Sequence, residues 1–450
     1  MSIQADELRK KTYFRLRALQ GAVQELGPRV RWATSARFLW NLLRSSAVGL
    51  KQQLVAADSN AASFSQVVQS IDSTTDVLHS LLWCVETGSA ERVPQPIVSA
   101  LEHLVSQLVP ESRVLVCYDW SPSNYGYLRE FLGDLTNNIR TAVLSDSVEE
   151  PVRRAADHLP EFFPVIFLPA AERDNVLLHA ALAHEIGHGL VEKLGLPAIQ
   201  VPPELASTIL TLSAPEWGDL YELHGRWLRE LVADAWAVCL LGPAPLMSLE
   251  MLAPTFGPER THPSSNLRFR VMQQCLRATG FISDETPVTD MEWIAAKTTS
   301  AIELSASAVG NPNLPHCASA RTWMEQYIDH IAAFVHGKAS DLVYTAQRWE
   351  DECDTREGGT ARRHQLVRRL LYAAPADVIE INGAEIPANL PAIVNAGWTV
   401  YADPQLWHSF VESFGEAGLD AEYKANRKLQ RLVLKAIDSV NIQHKWGLES

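Results

Sequence analysis

The chain is poor in cysteine and has none arranged as a thiolate pair. Its six cysteines (Cys84, Cys117, Cys239, Cys275, Cys317 and Cys353) are scattered, with no CxxC among them. That argues against a thiolate metal cluster or a disulfide-stapled secreted scaffold, and it fits a reducing compartment. No apolar run approaches the ~20 residues that span a bilayer. The opening MSIQADELRKKTYFRLRALQ lacks the apolar core and small-residue cleavage site of a secretory signal, so the expected location is cytoplasmic. There is no Gly-rich phosphate loop, no GxSxG elbow, no internal repeat and no low-complexity linker. Base is short relative to acid: the net charge is −14, so no nucleic acid or anionic membrane is expected as a partner of the whole molecule. Two local basic clusters, Lys10, Lys11, Arg15 and Arg17, then Arg362, Arg363, Arg368 and Arg369, read as solvated helix faces.

What is present is ordinary in bulk: 47% hydrophobic and 20% charged residues over 450 positions. At ~150 residues per domain, that length suggests two or three domains. The expected class is mainly α with a small β-sheet (α+β). Residues 1–110 read as a helical N-terminal region, in which Gly27 and Pro28 break the first helix. Residues 111–285 read as the functional core. Within it, Ser112 to Trp120 and Phe163 to Pro169 are short β-branched apolar runs, hence strands, and Tyr125 to Ile139 reads as a helix between them. A helix follows the second strand, with Asp174 as its cap and Gly195 as its stop. Residues 286–450 return to helices, with a hairpin near 378–386 marked by Asn382-Gly383 between alternating residues.

Within the core one short stretch carries chemistry: AHEIGH, Ala183 to His188. Residues four apart on a helix share a face, so His184 and His188 can present two imidazole nitrogens to one ion. Glu185 points to the side, where it can hold a water without ligating the ion. A catalytic zinc site has three protein ligands and an open position, so a third ligand is required downstream. The helix around RELVAD supplies Glu230, completing a His, His, Glu set. Asp234, one turn further, is placed to accept a hydrogen bond from the other ring nitrogen of His184. The small Ala233 permits close helix approach. Trp227 and Trp236 are expected to anchor this second helix in the core.

His184-Glu185-x-x-His188 followed by Glu230-x-x-Ala233-Asp234 resembles the gluzincin zinc metallopeptidases. The nearest branch is that of the CAAX prenyl-protein proteases and the HtpX-type heat-shock proteases. THPSSNLR, Thr261 to Arg268, resembles that branch's Thr-His-Pro element with an arginine six residues after the histidine. The likeness covers roughly Val165 to Met272. It departs from the membrane-embedded members in lacking transmembrane helices, so it points to a soluble form. It implies a zincin-like core, one Zn2+ per chain, Glu185 as general base, and an endopeptidase acting on protein or peptide substrates. The strand VIFLP would lie along the cleft and pair with an extended substrate. An oxyanion donor is also implied, with His262, Arg268 and Tyr221 as candidates. For His262 the plainer alternative is a loop position before a helix capped by Ser264 or Ser265.

Other histidines read as structural. His179 falls around the helix from the ligand face, His224 is expected to face solvent, and His316 beside Cys317 lacks further ligands. Two other functions stay open at this point: a non-catalytic or latent regulatory protein on a metallopeptidase-like core, and a regulatory protease with a single substrate. The helical flanks would serve either by binding a regulatory partner or by self-association.

Overall fold

The computed structural model describes residues 3–28, 34–58, 63–89, 95–119, 126–127, 162–169, 172, 174–252, 262–283, 287–307, 317–353, 362–414 and 418–446. Helices dominate, with one three-stranded and one two-stranded sheet. The chain divides into two compact units, residues 1–98 with 109–173, and residues 99–108 with 174–450. Among the described residues no helix is long and apolar enough to cross a membrane. All six cysteines are buried, and none forms a disulfide.

In the first unit, helices Ile3–Leu26, Thr34–Ala56 and Phe64–Ser89 pack their apolar stripes on one another. Leu16, Leu19, Leu39, Leu43, Val68 and Leu78 form the centre of that core. The first helix stops at Leu26, just before Gly27 and Pro28, because proline cannot continue it. Arg15 pairs with Asp72 and Asp76, so one of the basic clusters is partly neutralised by its neighbours. Strand β1 is Leu115–Asp119, β2 is Gly126–Tyr127 and β3 is Pro164–Pro169. β3 is central, parallel to β1 (Leu115 opposite Val165) and antiparallel to β2. Leu115, Val116, Cys117, Val165, Ile166 and Phe167 are all buried, as expected where both faces of a strand are covered. The helix expected over Tyr125 to Ile139 does not hold at its start, where Gly126 and Tyr127 pair with β3; its remainder lies outside the described residues.

The second unit is organised on one long helix, Ala214–Leu241. Its start is fixed by a capping box: Glu216 reaches back to the Ser213 backbone N–H at 2.8 Å. Its first half is amphipathic, but every residue from Leu231 to Leu241 is buried, the mark of a helix covered on all sides. Trp227 and Trp236 are fully buried in it, as expected. Helices Leu182–Leu194, Ser265–Ala278, Cys317–Glu325, Ile328–Ala339 and Leu390–Ala402 all pack on it. Asn395 clamps its end, donating to Leu241 O at 2.7 Å and accepting from Ala244 N at 2.9 Å.

The HExxH helix crosses this long helix at very short range. A Cβ built on Gly187 would stand 2.7 Å from Ala233 O and 2.8 Å from Ala233 Cα, so only glycine fits. The expected start of that helix is corrected. The stretch Val176–Ala181 is a 3-10 helix, and the α-helix proper is Leu182–Leu194, ending at Gly195 as anticipated. Tertiary donors account for the tighter turn: Leu177 O accepts from Ser248 Oγ and Trp398 Nε1 (3.1 and 3.2 Å), which competes with α-helical pairing. The hairpin is present as β4 (Val378–Ile381) and β5 (Ala384–Pro387). Asn382 and Gly383 both have positive φ (54° and 80°), the primed turn their residue types favour. In the second basic cluster, Arg362, Arg363 and Arg369 pair with Glu350, Asp290 and Asp377.

Substituting Gly187→Ala drives a methyl into backbone that cannot swing aside, and should cost about 1–3 kcal/mol in urea denaturation, the usual penalty of overpacking. A loss under about 0.5 kcal/mol would mean the two helices are not in contact at this point.

Candidate metal centre

Two helices of the second unit supply the cluster. His184, Glu185 and His188 come from Leu182–Leu194, and Glu230 and Asp234 from Ala214–Leu241. The Gly187–Ala233 contact brings the two helices close enough for short side chains to meet. His184, His188 and Glu230 each present one ligand atom, all within 4.8 Å of one another. His184 Nε2 lies 3.1 Å from His188 Nε2 and 3.4 Å from Glu230 Oε2, while Glu230 Oε1 is 3.4 Å from His188 Nε2. Tetrahedral ligands held ~2.0–2.1 Å from a zinc ion stand ~3.3 Å apart; each of these contacts is near that value, with the Glu230 carboxylate facing one imidazole through each of its oxygens.

The tautomer supports the same reading. His184 Nδ1 lies 2.8 Å from Asp234 Oδ1, which accepts its proton, so Nε2 is the nitrogen that faces the other two groups. Asp234 is in turn gripped by Arg268, whose Nε and Nη2 each donate to it at 2.7 Å. Both partners are sealed from solvent, Asp234 at 0% and Arg268 at 2% exposure. Glu230 Oε2 is buried, and His184 Nε2, 3.4 Å away, is the group that faces it.

Protonation follows from these neighbours. Burial works against a charged His184, but the Asp234 carboxylate outweighs it and the imidazole is raised to about 10. His188 is lowered to about 4, mainly by burial and further by the charge on His184. Burial also lifts Glu185 to about 7, against the opposing pull of His184. Glu230 is buried as well, yet His184 and His188 hold it well below the usual carboxylate range. In the same way Arg268 and His184 overcome burial at Asp234 and keep it ionised.

The remaining candidates divide. His262 Nε2 lies 3.7 Å from Glu230 Oε1 with 37% of its side chain exposed, on the lip of the cluster. The helix after it, Ser265–Ala278, has Ser264 at its N-cap without a side-chain cap bond. Arg268 is committed to Asp234 and comes within 3.3 Å of His184 Nδ1, which makes it an orienting charge behind the ligand. Tyr221 is 62% exposed and its ring neighbours Trp217 and His224. At 1.5 Å per residue it sits ~13 Å along the helix from Glu230, outside the ligand cluster. His224 corrects the sequence reading: it is buried, its ring 3.8 Å from that of Trp323, and burial lowers it to about 4. The helix Cys317–Glu325 covers that face. His179 is buried on the 3-10 turn and does not join the ligands. His316 lies outside the described residues, as does Thr261. β3, expected along a cleft, belongs to the first unit, whereas every residue of the cluster belongs to the second.

The role missed from sequence is that of Arg268, and a signal for it existed. In SNLRFRVMQQCLRA, Arg268 shares a helical face with the buried Val271, Met272 and Cys275, so it had to meet a buried acid.

Two outcomes follow. Asp234→Asn keeps the shape but removes the charge that fixes His184, and metal affinity measured against a chelator should fall ~10–100-fold. Unchanged affinity would disconnect Asp234 from the site. At pH 8.5, His188 and Glu185 (about 4 and about 7) have already lost their protons, whereas His184 (about 10) still carries one in the metal-free chain. Ligation must expel it, and a zinc-bound water of pKa ~7 would lose a second at this pH, so calorimetry in buffers of different ionisation heat should show about two protons released per zinc, and affinity should weaken as pH falls. Release of about one would show His184 neutral before the metal arrives.

Compared with family models, curated proteins and solved structures, the chain matches none of them. The case for a metal centre is thus carried by donor identity, spacing and burial within this one chain.

Proposed function

We propose that this chain is a zinc-dependent endopeptidase of the gluzincin type, with a zincin-like core, acting on protein or peptide substrates in the cytoplasm. The observation that carries the proposal is the convergence of two imidazole nitrogens and one carboxylate from separate helices, with one imidazole pinned by a buried acid. His184, His188 and Glu230 would hold the ion. Zinc bound there supplies Lewis acidity and lowers the pKa of water toward ~7.

The chain's own groups account for the proton traffic. Glu185 has its Oε1 3.8 Å from His184 Nε2, with 12% of its side chain exposed. It does not duplicate the ligands, and its pKa of about 7 suits a group that must take a proton from water and return it to a leaving amine. Asp234 and Arg268 keep His184 from rotating through the cycle. Of the three candidates, His262 at the exposed edge would be the one to donate a hydrogen bond to substrate oxygen, since Arg268 is engaged with Asp234 and Tyr221 lies further along its helix.

The test compares wild type with Glu185→Gln on unfolded casein, both loaded with one equivalent of zinc. Wild type should cut, and the variant should keep its zinc while losing about 10²–10⁴-fold in rate. Full zinc occupancy with no cleavage by wild type would overturn the peptidase reading in favour of a regulatory metal protein.

A further inference from the structure

The closing helix of the second unit, Leu419–Trp446, carries a feature that the net charge of the chain conceals. Leu429, Leu432, Val433, Ala436 and Ile437 bury its inner side. Its outer side holds Lys424, Arg427, Lys428, Arg431 and Lys435, all exposed. At 3.6 residues per turn these five cations fall within an arc of ~100°, and at 1.5 Å per residue they run ~16 Å along the axis. No acid interrupts them: from Tyr423 to Ile437 the sequence has neither aspartate nor glutamate, and Asp420 and Asp438 stand only at the two ends of the row.

Like charges one turn apart repel, so such a row weakens its own helix unless anions answer it. The two basic clusters near the N-terminus and around Arg362 are partly neutralised by neighbouring acids. This row is not. The Arg427 guanidinium lies 5.9 Å from the centre of the Tyr423 ring, and Arg427, Lys428, Arg431 and Lys435 make no ion pair among the described residues. The face also lacks an apolar centre, since the exposed apolar side chains of this helix, Leu419, Tyr423 and Ile442, lie beyond the ends of the row. A helix that docks on a bilayer needs an apolar face to enter the acyl boundary, and a peptide partner needs pockets for its anchor side chains. Cations alone, evenly spaced, suit a polymer that carries an anion at every repeat. One strand of a duplex presents a charge every ~3.4 Å of axis, so a row of ~16 Å meets about five of them.

We propose that this row binds the phosphate backbone of a nucleic-acid duplex, without regard to base sequence. Phosphate contacts of this kind supply essentially all of non-specific affinity. The charge of −14 on the whole chain opposes approach from a distance, but at physiological salt charges more than ~8 Å away are largely screened. The row shares no residue with the metal cluster and does not depend on the peptidase reading.

The test follows a fluorescein-labelled DNA duplex by fluorescence anisotropy with the full chain. Binding should be measurable at micromolar protein in ~50 mM salt and should weaken ~100–500-fold by ~200 mM, the loss expected for four or five phosphate contacts. Lys428→Gln combined with Arg431→Gln, both exposed, should weaken binding at least about tenfold and make its salt dependence shallower by about two contacts. Removing the same charge elsewhere, Lys10→Gln with Lys11→Gln, should change affinity less than about twofold. Poly-glutamate and phosphatidylserine vesicles, matched to the duplex in total charge, should compete poorly. The proposal is overturned if the duplex does not bind at low salt, or if the two double variants weaken it equally, because net charge alone would then be acting. Competition by poly-glutamate as strong as that of unlabelled duplex would overturn it in favour of an acidic protein partner. Equally strong competition by the vesicles would overturn it in favour of a membrane surface.

Discussion

A carboxylate with no exposed surface has to be answered by a cation, and in this chain that demand organises the site. Asp234 sits within the fully buried half of the long helix, where an isolated charge would cost several kcal/mol. Arg268 meets it with two hydrogen bonds from an equally buried position on a different helix. Asp234 then has lone-pair capacity left for His184 Nδ1. The orientation of the His184 ring therefore depends on a salt bridge that lies outside the His184, His188 and Glu230 cluster. A pair this deeply buried contributes little net stability compared with apolar residues, but removing one partner leaves the other stranded. Its value is in fixing direction.

Close helix packing supplies the other half of the geometry. Glycine at position 187 and alanine at 233 let the two backbones come together, so ligands only a few bonds long can converge. The long helix is held at its far end by Asn395 and along its length by several helices of the same unit. Short side chains on firmly packed helices suit a site that must hold ligands within a fraction of an ångström.

Much of this was legible in the residues. The i, i+4 spacing of His184 and His188 fixes a shared face whatever surrounds it, and Glu230 with Asp234 repeats that logic one helix later. Asn382-Gly383 encodes its turn locally, because few other residues accept positive φ at both positions. The mainly helical class was equally plain from periodicity. Readings that depended on remote partners were harder. His224 looked solvent-facing because the aromatic helix that covers it lies about a hundred residues away in sequence. The 3-10 start at Val176 reflects donors from Ser248 and Trp398, which local propensity cannot register.

The change of environment along the helix Ala214–Leu241 has a dynamic corollary. Up to Arg229, one side of the helix meets water; from Leu231 onward nothing does. Amide protons in the first half can exchange by brief local fraying, whereas those in the second should exchange only when the whole unit opens. Glu230 stands at that border, its backbone joined to the slow half and its carboxylate held between two buried imidazoles.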